Sequence, residues 1–247
     1  MELIWFGSKS KLANLKQLNI NLNICSVVVE PTDSVRDLGV ILDSKPSMYQ
    51  HIDKLSSTSF FHRRRLRHFR RMLNPSSRQR LVSGFILSRI DFRNAVLAGP
   101  PACMLAPLQR ILNAAAQFVA GLPACAHVTN TMQSLHWLPV AYRIHYKLCL
   151  VMYAVYNSTS PSYIADTTAR ISTLSGRVRL RSANTSDLTY LVPWTTFGVR
   201  AFSVAGPREW NTSPIMIRNI TEVPAFKLVI KTHFLKWHIL THNFMWL

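Results

Sequence analysis

The residues best suited to chemistry form a basic run from His62 to Arg71, which contains six arginines, two histidines and no acidic residue. Successive residues on a helix are about 100° apart, so three of the arginines would fall opposite the apolar side and two would flank it. These are Arg64, Arg67 and Arg71 opposite the apolar side, and Arg63 and Arg70 beside it. A guanidinium donates two hydrogen bonds at once to phosphate, so the run predicts contact with a nucleic-acid backbone. A nuclear-import address and a simply solvated face remain alternatives.

A second basic group lies further along the chain, at Arg177, Arg179 and Arg181. The surrounding segment is rich in Ser, Thr and Arg and has no apolar period, so we interpret residues 170–190 as an exposed basic loop. The loop is a second candidate for phosphate contact. A basic segment without fixed structure is an equally valid interpretation.

Carboxylates are too few and too scattered for metal-dependent catalysis. The chain has 11 Asp and Glu residues, and no two of them are adjacent. Two-metal phosphoryl transfer needs convergent carboxylates that hold metal ions about 3.5 to 4 Å apart. Asp37 and Asp43 could face a common edge, but we interpret them as surface residues at strand ends. His238 and His242 have the spacing of metal ligands without the glutamate of an HExxH site. The sequence predicts no catalytic residue, metal site or cofactor.

The charge balance indicates the class of partner. The net charge of +18 at pH 7 favours RNA or DNA. Apolar residues make up 48% of 247, enough for a buried core. The N-terminus lacks a secretion signal, and no apolar stretch matches the ~20 residues of a membrane span. The four cysteines are interpreted as reduced, packed thiols. We expect an intracellular protein, nuclear or cytoplasmic, without a small-molecule substrate.

The positioning elements change from strands to helices after about residue 45. Short β-branched and aromatic runs predict strands at Leu3–Gly7, Ile24–Val29 and Val35–Leu42. The apolar period then predicts a helix over Ser47–Met72, with Leu66 and Phe69 in its apolar stripe. The fold class is therefore mainly α, with a small antiparallel β piece at the N-terminus.

Four further helices are predicted from their apolar stripes. The second helix covers Ser76–Ala98, with a stripe at Leu81, Phe85, Ser88 and Phe92. The third has its stripe at Leu105, Leu108, Leu112, Ala115, Val119 and Leu122. The fourth has Pro139 in its first turn and Ile144, Leu148, Val151 and Val155 facing inward. The last begins near Thr221, with Phe226, Ile230, Phe234 and Trp237 on one face. Irregular strands or turns are expected over Tyr190–Pro214.

Six segments stand out by their order and spacing. They are Leu3–Ser8 (LIWFGS), Val35–Asp43 (VRDLGVILD), Ser88–Phe92 (SRIDF), Gln109–Ala116 (QRILNAAA), Ser134–Val140 (SLHWLPV) and Phe197–Asn211 (FGVRAFSVAGPREWN). Together they resemble the C-terminal part of reverse transcriptases from animal non-LTR (LINE-type) retrotransposons. The chain departs from that pattern at Phe92-Arg93-Asn94, where the family has an aromatic-Cys-Asn step, and at Thr212-Ser213-Pro214, where Ser replaces Leu.

The resemblance implies a remnant of the polymerase palm in residues 1–45, a thumb-like helical region in 46–125 and a helical extension in 126–247. Leu38, Gly39 and Val40 resemble the hairpin next to the primer terminus. In that family the paired catalytic aspartates precede the segment that resembles Leu3–Ser8. We therefore expect this chain to lack them and not to be an enzyme by itself, with Mg²⁺ needed only in the complete polymerase.

These observations predict a fragment of an RNA-directed DNA polymerase whose residual role is at most nonspecific binding to nucleic-acid backbone. A non-catalytic protein-interaction module and a translated retroelement relic without selected function remain alternatives. Palm strands that lack their covering structure expose an apolar edge, so self-association through the truncated palm sheet is a further expectation.

Overall fold

The computed structural model describes residues 2–18, 21–24, 27–170, 187–189, 193, 195 and 198–244. These residues are mainly helical and include small antiparallel sheets of two strands, so the predicted fold class is confirmed. The strands are β1 (Leu22–Ile24), β2 (Val27–Val29), β3 (Ser34–Asp37), β4 (Val40–Asp43), β5 (Ala169–Arg170) and β6 (Leu188–Thr189). The helices are α1 (Lys9–Gln17), α2 (Tyr49–His68), α3 (Pro75–Val82), α4 (Ser88–Asp91), α5 (Ala102–Ala120), α6 (Thr129–Ser134), α7 (Val140–Tyr156), α8 (Ser162–Ala165), α9 (Phe202–Thr212), α10 (Ile215–Arg218) and α11 (Val223–Phe244).

Two hairpins form the N-terminal sheets. β1 pairs with β2, and β3 pairs with β4, so each of two predicted apolar runs divides between two strands. The predicted strand at Leu3–Gly7 is wrong, because it shows only an isolated parallel bridge from Leu3 to Pro31. Sequence analysis did not predict α1, in which Leu12 is buried. Leu12 and Leu15 have helical spacing, but a helix of nine residues is too short to repeat that period.

A buried carboxylate holds the sharp turn into α2. Asp43 is 8% exposed, and its oxygens accept hydrogen bonds from the N–H groups of Ser47 (3.1 Å) and Met48 (3.0 Å) and from the Ser47 hydroxyl. The interpretation of Asp43 as a surface residue is therefore wrong, since it satisfies N–H groups at the start of the helix. His51 is also buried, and its Nδ1 accepts a hydrogen bond from the N–H of Ile41 at 3.4 Å, which links α2 to β4.

The second predicted helix is interrupted. α3 passes into a π-helical turn at Ser83–Leu87, and α4 ends where Phe92 is extended and Arg93 has a positive φ of 53°. A 3₁₀ turn then covers Asn94–Leu97. A residue with positive φ cannot continue a right-handed helix, so the single helix over Ser76–Ala98 is corrected to these pieces.

The apolar stripe predicted for this segment is also wrong. From α3 to α4 the buried residues are Val82, Ile86, Leu87 and Ile90. Phe85 and Phe92, which were predicted to face inward, are 43% and 52% exposed. Three consecutive apolar residues begin at Phe85, so a helical period fits more than one face. The wider π turn then decides which of them is buried.

α5 is the central helix of the first core. Its predicted face is buried from Leu105 to Val119, and the helix ends at Gly121, whose φ of 77° is left-handed. Leu122 therefore lies beyond the helix and is only partly buried. α5 packs on α2, α3 and α7. This core includes residues on both sides of the predicted boundary at 125, and the division of the chain at that point stays a prediction.

α7 contributes to two clusters of buried residues. Leu148 belongs to the first core and the adjacent Cys149 belongs to the second. Of the predicted inner face, Ile144 and Leu148 are buried, whereas Val151 and Val155 are partly exposed. The other members of the second core are Met152, Tyr153, Leu188, Trp210, Ile217, Phe226 and Ile230.

α9 corrects the prediction of strands or turns through Tyr190–Pro214. Trp210 is fully buried, and Gly206 faces Met152 so closely that a Cβ there would lie 2.6 Å from the Met152 sulfur. α11 buries Phe226 and Ile230 as predicted, but Trp237 is exposed on the same stripe. The helix therefore extends beyond the core that its first turns cover.

Candidate nucleic-acid interface

α2 and the turns after it present the outward part of the basic run. Arg64, Arg67 and Arg71 are exposed as predicted, although the helix ends at His68 instead of Met72. Phe69 was predicted in the apolar stripe but is 58% exposed, because the chain has left the helix there. Among the described residues, no ion pair involves the three outward arginines. Their guanidinium groups are available to an external anion.

The two arginines that flank the apolar side turn towards the end of α5. The Nε of Arg63 donates a hydrogen bond to the carbonyl of Ala114 at 3.3 Å. Arg70 lies against Gly121, where a Cβ would be 3.2 Å from Nη2. Arg78 adds a hydrogen bond from Nη1 to the carbonyl of Phe118 at 3.3 Å. Phe118 lies in the last turn of α5, where a cation is favourable at the negative end of the helix dipole, so Arg78 binds the end of α5 from α3. Arg63 bonds α2 to α5 one turn earlier.

The electrostatics of Arg63 agree with that structural role. Burial lowers the pKa of its guanidinium from the ordinary value, and the positive charges of Arg67 and Arg70 lower it further. The five predicted contacts therefore divide into three that face solvent and two, Arg63 and Arg70, that face the protein. The sequence pattern alone does not distinguish these two groups.

The segment that resembles the primer-proximal hairpin is a tight turn. Leu38 and Gly39 have positive φ angles of 47° and 90°, a geometry suited to a two-residue hairpin loop. Leu38 is exposed, whereas Val40 is buried in the first core. A Cβ on Gly39 would lie 3.2 Å from the ring of Phe92, so the turn rests on that ring.

The carboxylates of the β3–β4 hairpin do not converge. Asp37 lies opposite Val40 at the turn, and Asp43 lies opposite Ser34 at the other end. Burial alone would raise the pKa of Asp43, but the hydrogen bonds from Ser47 and Met48 outweigh burial and hold that pKa below its ordinary value. Asp43 is thus an ionised cap for α2.

Other acidic residues are paired within the protein. Asp91 accepts two hydrogen bonds from Nη1 of Arg143, at 2.9 and 2.7 Å. Glu209 pairs with His145 at 2.6 Å, and Asp187 pairs with Arg218. In the part of the chain that the structure describes, no three His, Cys, Asp or Glu side chains form a group able to hold a metal ion. Asp91, Glu209 and Asp187 therefore have structural roles.

Sequence analysis missed Arg65 and Arg89 as candidate contacts. Arg65 is in the basic run and lies 5.7 Å from the centre of the Phe61 ring. Arg89, in α4, follows the π-helical turn and lies near enough to His62 for its charge to lower the pKa of that residue. Its Nε donates a hydrogen bond to the carbonyl of Phe85 at 3.1 Å. The spacing of Phe61 and Arg65, four residues apart on a helix, was an available signal. No comparable signal existed for Arg89.

Two other expectations meet the structure only in part. Arg177, Arg179 and Arg181 lie outside the described residues, so their contact with phosphate stays a prediction.

Cys103 and Cys125 are exposed, which corrects their interpretation as packed thiols. In the described ranges, no helix combines the length and the apolar character needed to cross a membrane.

Comparison with known proteins gives no assignment. No protein-family model, no curated protein and no solved structure matches this chain.

Proposed function

We propose that this chain binds the phosphate backbone of nucleic acid without sequence preference, through Arg64, Arg67 and Arg71. The observation that carries the proposal is the exposure of these three arginines on α2 and its following turn, without an ion pair in the described structure. The net charge of +18 supports it, since a strongly basic protein attracts polyanions. An intracellular location, in the nucleus or the cytoplasm, belongs to the same proposal.

The proposed origin is an RNA-directed DNA polymerase of a non-LTR retrotransposon. The six ordered segments of resemblance support this origin, and residues 34–43 form a hairpin where the family has one near the primer terminus. Asp43 is engaged in capping α2 and Asp91 in binding Arg143, so neither is placed to hold a metal ion. We propose that the chain by itself does not extend a primer.

The arginine face is tested by the salt dependence of duplex binding. If each of the three arginines contacts one phosphate, this face should contribute about −2.7 to the slope of log K against log salt, at about −0.9 per phosphate. The triple variant Arg64→Gln, Arg67→Gln and Arg71→Gln should flatten this slope by roughly two to three units. Fluorescence anisotropy over a salt series measures both slopes.

A matched control removes the same charge elsewhere. Arg110, Arg208 and Lys227 are exposed and lie on α5, α9 and α11. Their replacement by Gln should leave the slope within about half a unit of the wild-type value, because those side chains contact no phosphate in this proposal. Equal slopes for the two triple variants would contradict the assignment of the face.

Primer extension tests the second part of the proposal. The purified chain is incubated with primed RNA, deoxynucleotides and Mg²⁺, and we expect no product above a control without protein. Templated extension would contradict the proposed role as a binding protein alone.

A further inference from the structure

Beside the outward arginines, α2, the π-helical turn and α4 carry a cluster of rings and cations, named here the aromatic–arginine patch. It comprises Phe61, His62, Arg65, Phe85 and Arg89. The rings of Phe61 and His62 meet edge to face at 5.6 Å, and His62 stacks on Phe85 at 5.5 Å with 25° between the ring planes. Arg65 lies over Phe61, and Arg89 is bonded to the backbone of Phe85. The five side chains come from α2, the π-helical turn and α4.

The π-helical turn places the Phe85 ring in this patch. The N–H of Ser88 donates to the carbonyl of Ser83, five residues earlier. This turn buries Ile86 and leaves Phe85 43% exposed, while Phe61 on α2 is 48% exposed. π-helical turns are uncommon and occur often at functional sites. Core packing does not explain why two large rings that both contact His62 remain exposed to solvent.

The patch is positively charged. In the described structure, no ion pair involves Arg65 or Arg89. The pKa of His62 lies below its ordinary value, first through burial and then through the positive charges of Arg89 and Arg65. His62 is therefore mainly neutral at pH 7, and the positive charge of the patch comes from Arg65 and Arg89. Partly exposed rings beside cations without an ion pair suit a ligand that is both aromatic and anionic.

We propose that the aromatic–arginine patch binds single-stranded nucleic acid, with unpaired bases stacked on Phe61 and Phe85 and phosphates bound by Arg65 and Arg89. This inference rests on the proposed function and specifies the form of nucleic acid. In a duplex the faces of the bases are covered by their neighbours, so exposed rings gain stacking partners only from unpaired bases. Phe61 and Arg64 are three residues apart on α2 and are neighbours on its surface. The patch thus adjoins the outward arginines.

The test compares one labelled DNA strand of mixed sequence, alone and annealed to its complement, by fluorescence anisotropy. The double variant Phe61→Ala and Phe85→Ala should lower the single-strand affinity roughly five- to hundredfold for each base that loses its ring. The salt slope should not change, because no charge is removed, and duplex affinity should change less than about twofold. Phe69→Ala is the matched control, since this ring is 58% exposed and lies outside the patch.

A second pair of variants separates stacking from general apolar contact. Phe85→Trp should retain single-strand affinity and show quenching of indole fluorescence by the bound bases, whereas Phe85→Leu should lose affinity. Circular dichroism checks that each variant is folded, as expected for exposed positions.

The possible failures can be told apart. Unchanged single-strand affinity in the double variant, or an equal loss in Phe69→Ala, would overturn the patch while duplex binding through the outward arginines survives. Absence of binding to either form by the wild-type chain would overturn the patch and the proposed function together.

Discussion

At the scale of single residues, the junction between the second hairpin and α2 depends on two buried polar groups. Asp43 accepts hydrogen bonds from Ser47 and Met48, and His51 accepts one from Ile41. Each compensates for burial by satisfying a backbone N–H that would otherwise lack a partner. Both groups must be in their unprotonated forms to do so, and the junction is therefore sensitive to acid.

Asp43→Ala should destabilise the protein by about 2 kcal/mol at neutral pH, because it leaves the N–H groups at the start of α2 without an acceptor. The pKa of Asp43 is lower in the folded chain than its ordinary value of 3.8, so its contribution is complete above that value. The contribution is lost as pH falls through the folded pKa. Urea unfolding at neutral and acidic pH measures this, with exposed Asp37→Ala as the control. Equal destabilisation by both variants would contradict the capping role.

His51 should make stability fall below about pH 6.5. Burial lowers the pKa of His51 in the folded protein, so the unfolded chain binds the proton first and stability declines as pH drops below the ordinary value of 6.5. His51→Gln should reduce that decline in thermal melts recorded between about pH 7 and pH 5. The exposed His68, replaced by Gln, is the control. An unchanged decline in His51→Gln would assign the pH dependence to other groups.

At the scale of elements, small departures from regular helices decide which side chains reach the surface. The π-helical turn at Ser83–Leu87 places Phe85 in solvent, and Gly206 allows α9 to approach α7 at Met152. Neither feature changes the overall helical content. The π-helical turn changes the surface through Phe85, and the α9–α7 contact changes the packing through Gly206.

Gly206→Ala should destabilise the protein by about 1 to 2 kcal/mol, because overpacking against buried Met152 outweighs the better helix propensity of Ala. The added Cβ would lie 2.6 Å from the Met152 sulfur. In a Met152→Ala background the same change should be neutral or stabilising, so a double-mutant cycle by denaturant unfolding isolates the contact. Gly84→Ala is the control, since nothing lies within 4 Å of a Cβ there. Additive effects in the cycle would contradict this explanation.

The sequence predicted the elements whose local pattern is unambiguous. α5 could be predicted because its apolar residues recur with one helical period and Gly121 ends it. α9 could not, since Gly206 and Pro207 are typical of turns and only the tertiary contact with α7 favours a helix there. Arg70 and Arg71 lie in the turn after α2, but the exposure of Arg64 and Arg67 on that helix was predicted. The separation of Arg63 from the outward arginines was not, because it depends on α5, far away in sequence.

At the scale of the whole molecule, the N-terminal hairpins expose apolar side chains at the edge of a small sheet. Leu22 and Val28 are exposed in the first hairpin, and Phe6 is exposed in the segment before α1. In the described structure each hairpin has only two strands, so edge N–H and carbonyl groups remain open to pairing with another chain.

We expect the chain to self-associate at low salt without nucleic acid, and Val28→Lys to reduce this, because a charge on a strand edge disfavours intermolecular pairing. Val96→Lys introduces the same charge at an exposed position in the 3₁₀ turn after α4 and is the control. Light scattering over a concentration series measures the association. A monomeric wild-type protein, or equal effects of both variants, would contradict this expectation.

The rate at which the buried Cys149 thiol is labelled reports how often the interior of the protein opens. This thiol is fully buried beside the first core, and burial raises its pKa to about 12. It is therefore almost never a thiolate in the closed state, whereas Cys103 and Cys125 are exposed. An alkylating reagent should modify those two quickly and Cys149 only when α7 separates from α9. The slow labelling of Cys149 then gives the rate at which the second core opens in the native protein, without denaturant.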